Sequence, residues 1–94
     1  MIVRVLGIGQ FRLDDADVAV VERADDAVEA AIAARDAEGF RSAIGGLIDA
    51  IESVGEAVPD DEFIASDVIV PDRDIPFEEA VAIDGGSGEG LVPG

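Results

Sequence analysis

An amphipathic stripe in the middle of the chain constrains the fold more than any other feature. Apolar residues recur there at helical spacing, as Phe40, Ile44, Leu47, Ile48, Ile51 and Val54. This spacing predicts an α-helix with one apolar face. We expect Asp36 to cap the start of this helix and Gly55 to stop it. Because one helix cannot bury such a face alone, other elements must pack against it.

A weaker stripe precedes the first one, between Asp15 and about Arg35. Its apolar members are Val18, Val21, Val28 and Ile32, and acids populate the remaining positions: Glu22, Asp25, Asp26, Glu29 and Asp36. Asp14 or Asp15 supplies a helix start. The two stripes predict an antiparallel helical hairpin. Gly45 and Gly46 lie inside the second helix, where they either admit a close neighbour or weaken the helix locally.

The first 13 residues predict a β-hairpin. A β-branched, apolar run is followed by Gly7-Ile8-Gly9, whose glycines tolerate the positive φ of a short hairpin loop. Alternation places Phe11 and Leu13 on one face of the ribbon, with Arg12 on the other. We expect Arg4 and Arg12 to face each other across the hairpin, and one face of the ribbon to pack on the helices.

The last third of the chain is more acidic and less regular. Val68, Ile69 and Val70 suit a short strand that Pro71 stops, and Pro76 suits the start of a short helix. We therefore predict an α+β fold, in which an N-terminal hairpin packs on a helical hairpin and an acidic, partly ordered arm follows. The predicted organisation is one domain, residues 1–84, and a Gly-rich, flexible tail, residues 85–94.

The residue types that are missing exclude several kinds of chemistry. The chain has no Cys and no His, which excludes disulfides, thiolate or imidazole metal sites, and cysteine or histidine catalysis. The Gly7-x-Gly9 pattern lacks the third glycine and the following helix of a dinucleotide-binding loop. A 94-residue chain with four Phe has little material for a pocket. We expect no enzyme activity and no cofactor.

The charge balance bears on partners and environment. Twenty-two acids against six Arg give a net charge of −16, which disfavours binding to nucleic acid or to a bare anionic membrane. The acidity and the absence of Lys fit a protein of a salty cytoplasm, where screening removes self-repulsion; a GC-rich genome is the other explanation. No uncharged run exceeds seven residues, so we expect no membrane span or signal peptide, and a cytoplasmic location.

Acidic clusters leave a second class of function open. The candidates for Ca²⁺ or Mg²⁺ ligands are Asp60, Asp61, Glu62, Asp67, Asp72 and Asp74. Their spacing does not match the twelve-residue calcium loop, and solvated surface acids are the simpler interpretation. The alternative function is therefore an acidic, divalent-cation-binding domain of a halophile. A third hypothesis is an acidic mimic that blocks a basic nucleic-acid-binding surface.

Several segments together resemble one known family. They are MIVRVLGIGQFRL at 1–13 before an acidic helix start, the Ala-rich helix pair with Asp36 and Phe40-Arg41 at the junction, VPDDE at 58–62 leading to SDVIVP at 66–71, and GEGLVPG at 88–94. With these, the chain resembles the PspA-associated proteins of archaea and actinobacteria. The resemblance implies a small accessory of phage shock protein A, the coiled-coil protein of the envelope-stress response, acting by protein contact without catalysis or cofactor.

The resulting hypothesis is a protein–protein adaptor or regulator that contacts the membrane only through its partner. The predicted contact residues are Arg4, Phe11 and Arg12 of the ribbon and Leu91 and Val92 of the tail. Arg4 and Arg12 either pair with neighbouring acids of the chain or anchor an acidic stretch of the partner. The oligomeric state is left open by the sequence.

Overall fold

The computed structural model describes residues 1–59, 61–62 and 64–87. Its elements follow one another as β1 (Ile2–Val5), β2 (Gly9–Arg12), α1 (Asp15–Ala33), α2 (Ala37–Val54), β3 (Glu56–Ala57), β4 (Val68–Val70) and α3 (Phe77–Ser87). The predicted α+β fold is confirmed, with an N-terminal hairpin packed on two helices.

The hairpin of β1 and β2 forms as its sequence predicts. The strands are antiparallel, with Val3 opposite Phe11 and Val5 opposite Gly9. Gly7 and Gly9 take φ values of +85° and +145°, a backbone region that glycine enters without the steric cost of a Cβ. The loop therefore needs glycine at both positions.

The sheet has four strands in the order β3-β2-β1-β4. β3 pairs antiparallel with β2, whereas β4 pairs parallel with β1, with Val3 opposite Val68 and Val5 opposite Val70. The sequence predicts β4 as a strand but not its place beside β1. Residues from the acidic C-terminal third thus complete the sheet that the hairpin begins.

The core lies between one face of the sheet and the helices. Alternate strand residues point into it, and α1 and α2 contribute their apolar stripes; the fully buried large side chains are Val3, Val5, Val21, Val28, Phe40, Ile44, Leu47, Ile48, Ile51 and Val70. The ring of Phe77 in α3 meets that of Phe40 edge-on at 5.6 Å between centroids. The opposite face of the sheet carries Arg4, Gln10 and Arg12, together with the exposed Ile69.

Both helix starts are capped by the predicted acids. The Asp14 side chain accepts a hydrogen bond from the Asp17 N–H, and the Asp17 side chain accepts one in return from the Asp14 N–H, which makes a capping box. Asp36 accepts a hydrogen bond from the Gly39 N–H at the start of α2. Gly55 follows the last residue of α2, as predicted.

Three details differ from the sequence-based expectations. Asp25 is 3% exposed within the buried stripe of α1, so it is not one of the solvated acids. A Cβ on Gly46 would meet nothing within 4 Å, and one on Gly45 would approach only the Arg73 side chain at 4.0 Å; close helix packing therefore does not explain the glycine pair. Helix α3 continues to Ser87, into the segment assigned to the tail.

Candidate interaction surface on the outer face of the sheet

The face of the sheet turned away from the helices, here called the outer face, carries Arg4, Gln10, Arg12 and Ile69. Their strand neighbours Val3, Val5, Phe11 and Val70 are buried, and successive side chains of a strand point to opposite faces. In the register, Arg4 lies between Gln10 of β2 and Ile69 of β4. The outer face thus places two of the six Arg on neighbouring strands.

The segment between β3 and β4, here called the loop, covers part of this face over β2 through Glu62, Ile64 and Ser66. The Gln10 side-chain amide donates hydrogen bonds to the Ile64 carbonyl at 2.8 Å and to Ser66 Oγ at 2.7 Å. The Arg12 guanidinium meets Glu62 Oε1 at 3.2 Å. These contacts join residues 50 to 56 positions apart in the sequence, and they hold the loop above the hairpin.

The loop and the hairpin enclose an open cleft of about 460 Å³. Its lining residues are Arg4, Gly9, Gln10, Val58, Pro59, Glu62, Ile64 and Ala65. Val58, Pro59 and Ile64 give the cleft an apolar side. Among the described residues that line the cleft, Arg4 is the one that carries a positive charge.

Arg4 differs from the other cations near the sheet in its contacts. Arg12 pairs with Glu62, and Arg73 pairs with Asp49 at 3.0 Å and lies 3.8 Å from Glu52. Within the part of the chain that the structure describes, Arg4 has no ion pair, and it is exposed. Its guanidinium is therefore available to a carboxylate from another molecule, for which a planar, five-donor group is well suited.

The predicted contact residues fall into three groups. Arg4 and Arg12 both lie on the outer face, but they are diagonal neighbours, because Arg4 is opposite Gln10 and Arg12 opposite Ile2; the expectation that they face each other is wrong. Phe11 is 9% exposed and packs in the core, since alternation turns it toward the helices. Leu91 and Val92 lie outside the described residues, and their contact role remains a prediction.

The described residues offer no support for a cation site. Over residues 1–59, 61–62 and 64–87, no three acidic side chains come together in a way that could hold a metal ion. Of the candidates, Glu62 is engaged with Arg12, and Asp60 lies outside the described residues. Nor is any helix in these ranges long and apolar enough to cross a membrane.

Asp25 is the polar residue that sequence reasoning misplaced. It sits four residues after Val21 and three before Val28, so the helical period itself assigns it to the buried stripe. The helical spacing therefore indicates burial of Asp25, whereas its charge favours a solvent-exposed position, and the spacing is the better guide here.

Comparison with protein families finds one match. The model of the family described as PspA-Associated protein matches residues 1–94. Comparison with curated proteins finds no match, and comparison with solved structures finds none either.

Proposed function

Because this chain belongs to the PspA-associated protein family, we propose that it binds a PspA-like coiled-coil protein as a non-catalytic adaptor. The family supports an accessory role linked to PspA. In the proposal, this role is regulation of the membrane-stress, or phage shock, response by direct protein contact. The adaptor works in the cytoplasm and reaches the inner face of the membrane only through its partner.

The exposed guanidinium of Arg4 at the cleft, which has no ion pair among the described residues, is the observation that carries the proposal. Coiled-coil helices present acidic side chains beside their apolar seams. One such carboxylate at Arg4 would form a charge-assisted hydrogen bond, which is stronger than a neutral one. The apolar side of the cleft, at Val58, Pro59 and Ile64, would pack against an adjoining aliphatic side chain.

The net negative charge of the chain limits the places where an acidic partner can bind. A chain of net charge −16 repels an acidic partner over most of its surface. Contact is then favoured where a cation is exposed and apolar surface adjoins it. Arg4 meets both conditions, and Arg12 lies on the neighbouring strand with its charge shared with Glu62.

Charge reversal at Arg4 tests the proposal. The binding partner is a PspA-like coiled-coil protein, titrated calorimetrically at molar KCl with the native chain and with Arg4→Glu. We expect Arg4→Glu to weaken binding by about tenfold or more, because one charge-assisted bond is lost and a like charge replaces it.

Arg23→Glu is the matched control, since Arg23 is exposed on α1, has no ion pair among the described residues and gives the same change in net charge. It should bind like the native chain. Equal weakening by both variants would assign the effect to net charge, and binding unaffected by Arg4→Glu would remove the cleft from the interface. A native chain that does not bind the coiled-coil protein at all would refute the proposed function.

A further inference from the structure

β4 is an edge strand, and its outer side is unpaired in the described part of the chain. The strand order places β4 at one end of the sheet, next to β1 alone. An edge strand presents free backbone donors and acceptors to another extended chain. The described residues thus include an available hydrogen-bonding edge, separate from the cleft at Arg4.

The register shows which backbone groups this edge presents. Val68 and Val70 pair with Val3 and Val5 of β1, and the Leu6 N–H donates to the Val70 carbonyl at 3.0 Å. In a parallel ladder, alternate residues bond to the same neighbour. The N–H and the C=O of Ile69 therefore point outward, and its side chain is 57% exposed, the highest value among the exposed large apolar residues described.

A pit of about 260 Å³ adjoins the end of β4. Leu6, Pro71 and Ile75 form apolar walls, and Asp72, Asp74 and Glu79 also line the pit. No ion pair to any of these three carboxylates is present among the described residues. Apolar walls with carboxylates beside them fit a Lys or Arg side chain, whose aliphatic stem packs while its charged head meets the acids.

We propose that the edge of β4 binds an extended segment of a partner protein that carries a Lys or Arg. The main chain of the segment pairs with the N–H and C=O of Ile69, and its basic side chain enters the pit. This is β-strand addition, in which backbone hydrogen bonds supply affinity and a side-chain pocket supplies specificity.

Charge complementarity favours a basic segment over a second copy of this chain. A second copy would bring the same acidic pit and its own net charge of −16 to the interface, and like charges oppose that association. A basic segment instead meets Asp72, Asp74 and Glu79 with the opposite charge. The charge at this edge therefore favours a segment of a different protein over a second copy of this chain.

Three matched peptides test the proposal without any PspA-like protein, so its failure is distinguishable from failure of the proposed function. The probe is a seven-residue peptide, acetylated and amidated, that alternates Thr and Val and has one Lys. The second peptide replaces Lys by norleucine, which keeps the stem without the charge. The third is N-methylated on its central backbone amides. Backbone ¹H–¹⁵N shifts of the native chain are followed in 1 M KCl, which reduces unspecific attraction.

We expect the Lys peptide to shift the signals of Leu6, Ile69 and Ile75. The norleucine peptide should bind about threefold or more weakly, and the N-methylated peptide about fivefold or more weakly, each through loss of one kind of polar contact. Equal binding by all three, or shifts spread over the acidic surface of α1, would overturn the proposal.

Two variants examine the edge itself. Ile69→Pro removes the outward N–H, yet leaves the bonds of Val68 and Val70 to β1, since proline is tolerated where the N–H faces away from the sheet. Ile69→Thr keeps that donor and is its control. Peptide binding should fall with Ile69→Pro and persist with Ile69→Thr; if Ile69→Pro does not fold, the three peptides still decide. A native dimer in sedimentation that Ile69→Pro abolishes would assign the edge to a second copy and overturn the proposal.

Discussion

Gly39 and Asp36 fit each other because Gly39 has no side chain. The Gly39 N–H donates to Asp36 Oδ1 at 2.9 Å, and a Cβ on Gly39 would lie 2.4 Å from Asp36 Oδ2. No van der Waals contact is that short, so a larger residue at this position requires the Asp36 carboxylate to shift from the place it now takes. The geometry of the cap at the start of α2 thus depends on both Asp36 and Gly39.

Gly39→Ala should therefore show strong coupling to Asp36. Alanine favours the helix by up to about 1 kcal/mol relative to glycine, but in the native chain this gain is offset by loss of a cap that contributes about 1 kcal/mol. In an Asp36→Ala background only the gain remains. A double-mutant cycle by urea unfolding at molar KCl should give about 1 kcal/mol of coupling; strict additivity would contradict the capping role of the pair.

Gly46→Ala should stabilise the protein by about 0.5–1 kcal/mol. Gly46 is an exposed residue inside α2, and a Cβ there would meet nothing within 4 Å. The substitution removes the entropic cost of glycine without a steric cost. Urea midpoints of native and variant chains give the measurement, and a loss of stability would show that the helix needs glycine at this position.

Gly55→Ala should have the opposite effect and destabilise the protein by about 1–3 kcal/mol. A Cβ on Gly55 would lie 2.6 Å from the Ile51 carbonyl oxygen and 3.0 Å from Phe11 Cβ. Neither a backbone oxygen nor a Cβ can move away as a flexible side chain does. The pair Gly46→Ala and Gly55→Ala thus makes the same chemical change with opposite expected signs in the same unfolding assay.

Arg41→Met should cost more stability than Arg73→Met, although both remove one positive charge. The Arg41 guanidinium donates to the carbonyls of Arg73 and Ile75, the latter at 2.6 Å, and lies 5.7 Å from the centre of the Phe40 ring. We expect a loss of about 1–2 kcal/mol for Arg41→Met, because two carbonyls of the β4–α3 connection lose their donor. For the exposed ion pairs of Arg73 we expect about 0–1 kcal/mol. Equal losses would show that Arg41 does not fasten this connection.

Ordered structure should increase as KCl rises from 0.1 M to 2 M. The net charge of −16 on a 94-residue chain destabilises the compact state in dilute buffer, and at molar salt the screening length falls to about 3 Å. Far-ultraviolet circular dichroism and the urea midpoint should both report the gain. A flat response would contradict adaptation to a salty cytoplasm.

Local signals in the sequence predicted most of the elements. The glycines of the first loop, the caps Asp14 and Asp36, and the stripe from Phe40 to Ile51 each determine structure within a few residues, and each is found where expected. The outer-face position of Arg4 and Arg12 follows in the same way from the alternation of the strands.

Contacts between segments far apart in the sequence could not be predicted from such local signals. The run Val68 to Val70 is equally apolar whether it pairs with β1 or β2, so its pattern does not identify its neighbour. The same holds for the contact of Arg12 with Glu62, 50 residues away, since either Arg could have met any of many acids. The cleft depends on these pairings, and it therefore appears only in the folded chain.

The parallel pairing of β1 with β4 has a consequence for the order of folding. The hairpin and the two long helices are each built from contacts between near neighbours in the chain, whereas the Ile2 N–H reaches Asp67 across 65 residues. Closing so large a loop costs entropy before it yields any contact, which makes β4 the natural last strand to dock and the first to leave. During synthesis, β1 leaves the ribosome before β4 and acquires its second neighbour only after Val68–Val70 have been made; until then, the side of β1 that will receive β4 is open to other chains.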